Sequence, residues 1–411
     1  MPEGWAWCRL PEICVIPITD GTHQTPTYSD KENGVPFLSS KDVTSGKIDW
    51  SKIKYITKEL HQELQKRIAP KKDDILLAKN GTTGVAAIVE DETIFDIYVT
   101  LAVIRPNQKI VYPKFLLNII NSPFCKNQFN EHLTGIGVPN LHLVDINKTF
   151  VPLPPLNEQR QITDKIGSYT VHIDELEKNK SDLQTAIKQT KSKILDLAIH
   201  GKLVPQEPND EPAEVLLKRI ATSDNRPYKK FDGEEPFDIP ALWSWCRLGE
   251  ICDYGKCINV NSSDLKADDW ILDLEDIEKD SGRIIAFHNF GERKSESTKH
   301  KFLKGQVLYS KLRPYLNKVV IAPKDGFCTS EILPLDFKSI LLPRYAQVLL
   351  MSSYFLEMVN MVTYGVKMPR LGTNDAKNMQ IPVPPRTEQQ RIVSKIEELF
   401  SYLDTISSNL D

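Results

Sequence analysis

The chain has 411 residues, of which 40% are apolar and 26% charged, and a net charge of −3 at pH 7. That is the make-up of an ordinary globular protein of about two or three domains. A protein that bound nucleic acid over its whole surface would be basic, so any such contact must come from local patches or be shared with a more basic partner. No apolar run is long enough to span a bilayer, and Met1 leads directly into polar sequence without a signal-peptide core. Seven cysteines at scattered spacing form no C-x-x-C pair, which argues against a structural zinc site or a disulfide framework. A cytoplasmic protein is expected, with no membrane partner.

In chain order, the first stretch, 1–153, mixes strand and helix signals. Ile75 to Ala78, Val85 to Val89 and Tyr98 to Ile104 are short β-branched runs bounded by Gly, Asn or acidic residues, which predicts strands. Phe115 to Ile120 has helical spacing. A proline-free stretch then follows the opening P-P-L-N-E-Q-R-Q-I at Pro154 and runs to Gly201. Asn157 is expected as its N-cap and Gly201 as its stop. Ile162, Ile166, Tyr169, Ile173, Leu176, Leu183, Ile187, Ile194 and Leu197 alternate in steps of four and three or their multiples, an a/d seam over about five heptads. Lys180 and Thr190 interrupt it, as register-fixing residues do. A helix over 154–200 would be on the order of 65 Å long and needs a partner for its stripe.

Residues 201–240, rich in Pro, Asp, Glu and Asn, form a linker with one short amphipathic segment at Ala213 to Ile220. A second mixed stretch, 241–383, includes helical spacing at Leu349 to Val362. A second heptad helix over 384–411 carries Ile392, Ile396, Leu399, Leu403, Ile406 and Leu410, with Thr387 and Gln390 at capping-box spacing.

The two halves are a direct repeat, and four collinear matches make the case. Gly4 to Cys14 (G-W-A-W-C-R-L-P-E-I-C) returns at Leu242 to Cys252 (L-W-S-W-C-R-L-G-E-I-C), and Asp74 to Lys79 (D-I-L-L-A-K) at Gln306 to Lys311 (Q-V-L-Y-S-K). Gly135 to Leu141 (G-I-G-V-P-N-L) returns at Gly365 to Leu371 (G-V-K-M-P-R-L), and Val151 to Ile162 at Ile381 to Ile392. The expected fold is α+β: two domains of mixed β-sheet and helices in tandem repeat, separated by long helices that pair as an antiparallel coiled coil. In that pairing Ile162, Ile166, Tyr169, Ile173 and Leu176 face Ile392, Ile396, Leu399, Leu403 and Ile406. The short second helix then leaves Lys180 to Leu197 without a full partner in the chain. Antiparallel pairing relates the halves by an approximate two-fold axis, and the coil acts as a ruler between them.

Catalytic motifs are absent. Gly81-Thr-Thr-Gly84 lacks the lysine of a phosphate-binding loop and reads as a turn, and there is no G-x-G-x-x-G after a strand and no H-E-x-x-H. Cys8 and Cys246, at equivalent repeat positions, read as core. Asp73–Asp74 and Asp268–Asp269 read as solvated turn residues rather than metal ligands. The chain is expected to be non-catalytic, with no cofactor and no metal.

A charge-and-aromatic signal remains. Between Phe290 and Lys324, nine Lys and Arg residues face only Glu292 and Glu296, with Tyr309 and Tyr315 interleaved. K-L-R-P-Y-L-N-K (Lys311 to Lys318) sets donors and an aromatic on a turn, which favours DNA contact. The Lys-rich run 41–72 is diluted by acids and reads as a solvated face. The duplicated P-P-x-x-E-Q helix start, the D-G-T-H-Q-T-P-T-Y opening, the K-L-R-P-Y-L-N-K turn and the helix exit I-L-D-L-A-I-H-G-K-L-V-P-Q together resemble the specificity subunits of type I restriction-modification systems, over essentially the whole chain. The resemblance implies two target-recognition domains, each reading one half of a bipartite double-stranded DNA site. It also implies methylation by separate methyltransferase (M) subunits, two of them docking here, and cleavage by restriction (R) subunits.

Candidate DNA contacts are His23, Lys79, Asn80, Thr82, Thr83 and Asn140 in the first half, and Lys311, Arg313, Tyr315, Lys318, Lys367 and Arg370 in the second. His23 either makes a surface contact or is merely exposed. Asn140 and Arg370 follow the shared Pro139 and Pro369; Asn suits adenine and Arg guanine, with phosphate contact or plain exposure as the alternative. Two rival classes are a coiled-coil adaptor without DNA specificity and a self-contained nuclease or methyltransferase.

Overall fold

The computed structural model describes residues 2–44, 46–81, 83–131, 139–223, 228–293, 295–363 and 367–410. Thr82, Lys294 and the glycines Gly135, Gly137 and Gly365 lie outside the described residues. The chain divides into two compact units, Met1–Glu177 and Lys178–Asp411, so the division falls inside the long helix.

The first unit runs β1 (Ala6–Arg9), β2 (Thr19–Asp20), β3 (Tyr28–Ser29), β4 (Val35–Leu38), β5 (Lys54–Ile56), α1 (Lys58–Leu64), β6 (Ile75–Ala78), β7 (Ala86–Ile88), β8 (Asp96–Ile97), β9 (Leu101–Ile104), α2 (Pro113–Asn121), α3 (Pro123–Glu131), α4 (Leu143–Lys148), β10 (Phe150–Leu153) and the start of α5 (Leu156–Ile199). Its main sheet has the order β2-β9-β6-β7, a second has β3-β5-β4-β8, and β1 pairs with β10. Strand β6 shows why the layers stack. Successive side chains of a strand point to opposite faces. Ile75 and Leu77 join Phe115, Leu116 and Ile120 of α2 in one core, while Leu76 and Ala78 join Leu38, Ile97 and Val103 in another. All four are fully buried, so the strand reads as an uninterrupted apolar run.

The second unit runs from the end of α5 through α6 (Ala213–Ser223), β11 (Ser244–Arg247), α7 (Leu248–Ile251), β12 (Ile258–Val260), β13 (Trp270–Leu272), β14 (His288–Asn289), β15 (Lys299–Phe302), β16 (Val307–Ser310), β17 (Val319–Ile321), β18 (Gly326–Thr329), β19 (Ile332–Leu335), α8 (Pro343–Met351), α9 (Ser353–Val362), α10 (Thr373–Asn378), β20 (Gln380–Val383) and α11 (Arg386–Ser408). The plan repeats: β17-β16-β19 is the inner sheet, and β11 pairs with β20. On β16, Val307 and Tyr309 face the helices and Leu308 faces the core under the sheet β12-β15-β18-β13-β14.

Both heptad helices start by the same device, which explains the repeated P-P-x-x-E-Q. Gln159 is fully buried; its amide accepts from Tyr112 N at 2.7 Å and donates to Ile110 O and Pro154 O. Gln389 repeats this with Leu342 N (2.8 Å), Ile340 O and Pro384 O. The preceding glutamates accept the indole N–H of the repeated tryptophans, Glu158 from Trp5 (3.1 Å) and Glu388 from Trp243 (2.8 Å). Two distant motifs of each repeat are therefore partners, binding helix start to domain. The expected caps do not form. Helix α5 begins at Leu156, leaving Asn157 inside it. Helix α11 begins at Arg386, and the Thr387 hydroxyl donates to Asp210 instead of closing a box with Gln390.

The seam is where the structure corrects the expectation. Ile166, Tyr169, Ile173 and Leu176 are 40%, 59%, 54% and 68% exposed, while Ile162 packs onto the core of its own unit. In the second unit the other end of α5 is covered instead: Ile194, Leu195, Ala198 and Ile199 share a core with Ile392 and Ile396, with Leu399 and Leu403 packed against it. Lys191 reaches Asp404 at 2.5 Å and lies over the Phe400 ring. Farther along, Gly201 approaches Trp243, whose indole donates to Glu388. As α5 advances its neighbours on α11 recede, so these two segments run antiparallel. Lys180 to Leu197 is expected to lack a full partner, yet its last two turns are the paired part. Ile406, an expected pairing residue, is 44% exposed. Heptad spacing fixes which face is apolar but not which heptads meet; here the buried start of α11 decides the register.

Candidate nucleic-acid interface

Each unit brings two distant loops together at the end of its innermost strand. In the first, Asn80 and Asn140 form an antiparallel bridge, and Leu141 N donates to Lys79 O (2.8 Å). In the second, Leu312 and Arg370 form the bridge, and Leu371 N donates to Lys311 O (3.0 Å). Thr83 donates its hydroxyl to Pro139 O, and Arg313 N donates to Pro369 O (2.8 Å). Leu141 and Leu371 are buried, which makes them scaffold. The residues that differ between the copies stand at the rim of this junction.

The rim of the first unit is tightly charge-paired. Asp20, buried, receives the Lys79 ammonium, the Arg67 guanidinium (2.8 Å) and the His23 imidazole (3.1 Å). Burial alone would push the Asp20 carboxyl up, but the hydrogen bonds and charges of Lys79 and His23 prevail and hold it below the usual carboxylate range. Lys79 is 6% exposed, so it is not offered to a ligand as a free cation, contrary to its place among the expected contacts. His23 is exposed and held by Asp20, and Asn80 and Asn140 are half-buried at the bridge. Gly21 is required beside this cluster, because a Cβ there would meet Ile97 O at 2.0 Å.

In the second unit, Pro314–Leu316 forms a single tight turn between two left-handed residues, Arg313 (φ 47°) and Asn317 (φ 50°). That conformation costs a non-glycine residue energy and persists only where neighbours enforce it. Here Asn317 donates to Met351 O (3.1 Å), and Arg313 N to Pro369 O. The result lifts Arg313 and Tyr315 into solvent beside exposed Lys367 and Arg370. The Arg370 guanidinium meets Glu331 through both carboxylate oxygens (3.0 and 3.1 Å), which raises its pKa. Lys318 turns inward and donates to Leu274 O at 2.6 Å, and desolvation lowers its pKa; it is a fastener of the turn rather than a surface cation.

The broad basic run is likewise less open than its composition suggests. Arg293 is held by Asp276 (2.8 Å) and Glu275 (3.1 Å), Lys299 is buried near Asp273, and Lys324 lies over Trp270. Asp74, read as solvated, is buried and receives two Arg105 nitrogens at 2.7 and 2.6 Å. Cys246 is buried and Cys8 half-buried against Val151 O. Sequence reasoning missed Arg67, which shares Asp20 with Lys79, and Glu331, which holds Arg370. Each comes from elsewhere in its unit, at no motif spacing. Among the described residues no group of three or more His, Cys, Asp or Glu is placed to hold a metal ion, and no helix is long and apolar enough to cross a membrane.

Comparison with known proteins matches this geometry. The family model described as "Type I restriction modification DNA specificity domain" covers residues 2–184 and 240–410. Relatives include the type I restriction enzyme EcoDI specificity subunit of Escherichia coli, 27% identical over 82% of this chain and 72% of its own length. The EcoKI specificity subunit of Escherichia coli K12 is 22% identical over 100% of this chain and 85% of its own length. The HsdS subunit of Thermoanaerobacter tengcongensis shares the fold, with a TM-score of 0.58 at 20% identity over 100% of this chain and 91% of that one. So does a chain from a structural study of type I R-M complex assembly and conformational transition, with a TM-score of 0.63 at 20% identity over 100% and 93%. With a duplicated domain, a duplicated helix lock and a family model that matches both copies, the chain belongs to the type I restriction-modification DNA specificity family.

Proposed function

We propose that this chain is the DNA-reading subunit of a type I restriction-modification complex, each unit contacting one half of a bipartite double-stranded site. The observation that carries this reading is the duplicated junction: the same backbone pairing in both units, with Asn80 and Asn140 on one and Leu312 and Arg370 on the other. Two heads that share a fold but differ at the rim are what two different half-sites require. Arg313, Tyr315, Lys367 and Arg370 are the contacts of the second unit; His23, Asn80, Thr83 and Asn140 those of the first. Helix length between the heads sets the gap between half-sites. The chain catalyses nothing itself. Adenine-N6 methylation belongs to M subunits, two of which dock on it, and ATP-dependent cleavage to R subunits, in the cytoplasm.

The test is co-expression with a cognate M subunit, followed by mapping of modified adenines. A two-part motif in which Arg313→Ala relaxes one half and leaves the other unchanged supports the reading. A coiled-coil adaptor without DNA specificity would leave the methylation pattern unchanged by any of these substitutions.

A further inference from the structure

The repeat shows a binding face filled in one unit and open in the other. In the second unit, the linker stretch F-D-G-E-E-P-F (231–237) lies on the ribbon of β11 and β20. Phe237 packs edge-on against Trp245 (4.9 Å) and Tyr354 (5.0 Å), and Asp232 lies 3.9 Å from Arg247. Gly233 passes so close to Gln380 that a Cβ would meet its side chain at 3.0 Å. Under this cover Trp245 is 4% exposed.

The first unit carries the counterpart of each receptor residue. Trp7 pairs with Pro152 across its ribbon as Trp245 does with Pro382, and Arg9 with Phe150 as Arg247 does with Gln380. Phe124 is the second residue of α3, as Tyr354 is of α9. The Trp7 and Phe124 rings lie 5.4 Å apart, tilted by 30°, yet they are 50% and 43% exposed, and Phe150, beneath the Arg9 guanidinium, is 45% exposed. Three large aromatics side by side form an apolar patch with a cation at its edge, the kind of surface that marks an interaction site.

We propose that the Trp7–Phe124 face docks an extended, acidic, phenylalanine-bearing segment of a partner polypeptide, bound as 231–237 is bound on the second unit. A phenylalanine packs onto Trp7 and Phe124 together, as Phe237 does on Trp245 and Tyr354, and a carboxylate upstream of it meets Arg9. The chain's own second unit shows what this receptor accepts, in shape and in charge. The proposal uses none of the residues assigned to DNA reading and does not depend on that assignment.

The probe is a fluorescent, photo-crosslinkable peptide with the sequence of residues 228–240, titrated against the full chain. Saturable binding is expected, weakened about tenfold or more by Trp7→Ala or Phe124→Ala, as for aromatic anchors at an interface. Replacing both peptide phenylalanines with alanine, which leaves the protein untouched, should weaken it equally, and cross-links should map to β1 and α3. Absence of saturable binding, or binding indifferent to these changes, overturns the proposal. So do cross-links confined to Trp245 and Tyr354, which would mean that the peptide only displaced its own copy. Dimerisation abolished by Trp7→Ala would replace the partner segment with a second copy.

Discussion

The two units keep one skeleton and spend their charges differently. Each ties its heptad helix down with a buried glutamine and bridges two loops at the end of its inner strand. In the first, the lysine at that strand end is sunk onto Asp20. Its counterpart Lys311 is half-buried and makes no ion pair among the described residues, while Arg370 next door is held at the surface by Glu331. Backbone bonding is thus common property, and side-chain pairing is where the copies diverge. A duplicated reader needs that division, since a fold must be conserved while base contacts vary.

The largest expected effect tests the shared part. Gln159→Ala and Gln389→Ala each strand one buried N–H and two carbonyls, and each should cost about 3 kcal/mol or more, read by urea unfolding. A large loss in one unit with none in the other would break the equivalence. Next comes the helix register. Ile396→Asp places a charge in a core where that residue is 1% exposed, a cost on the order of 4 kcal/mol. Ile166→Asp, at the same heptad position of α5 but exposed, should stay within about 0.5 kcal/mol when the chain is tested alone.

Smaller effects sharpen the divergent part. Arg313→Ala should lose about 1–3 kcal/mol of discrimination at one base pair of one half-site if it reads a base. If it touches phosphate, binding should weaken evenly across sequences and the salt slope should fall by about 1. Glu331→Gln releases Arg370, and tighter, more salt-dependent DNA binding in a filter or fluorescence assay is the expected outcome.

The smallest effect is a pH slope. Burial pushes the Glu388 carboxyl above its ordinary value, against the opposing bonds from Trp243 and Gln206. The native state therefore holds this proton more firmly than the unfolded chain. Its contribution is full below the unfolded value and is lost as pH rises through the folded one. Glu388→Gln should flatten that decline in unfolding curves collected from about pH 4 to 7.

Much of this was legible from residues alone. The repeat, the inner strand at Ile75 and both heptad helices show in local patterns, because apolar periodicity is dictated by the geometry of one element at a time. The P-P-x-x-E-Q motif was visible as a signature but read as a cap. Its real use as a clasp needed Tyr112 and Leu342, which no spacing rule connects to Gln159 and Gln389. The basic stretch from Phe290 to Lys324 misled for a related reason: composition counts charges, and Asp273, Asp276 and the Leu274 carbonyl had already taken three of them.

What the sequence by itself determined is therefore the list of parts: two copies of one α+β domain, each followed by a helix with an apolar stripe, and a chain without catalytic motifs. Only the tertiary structure decided which heptads of α5 are covered, which cations are spent inside the protein, and that one tryptophan of a repeated pair lies open. Periodicity is a property of a single segment, whereas register, ion pairing and exposure depend on which other segment arrives, and that is set by packing over the whole of each unit.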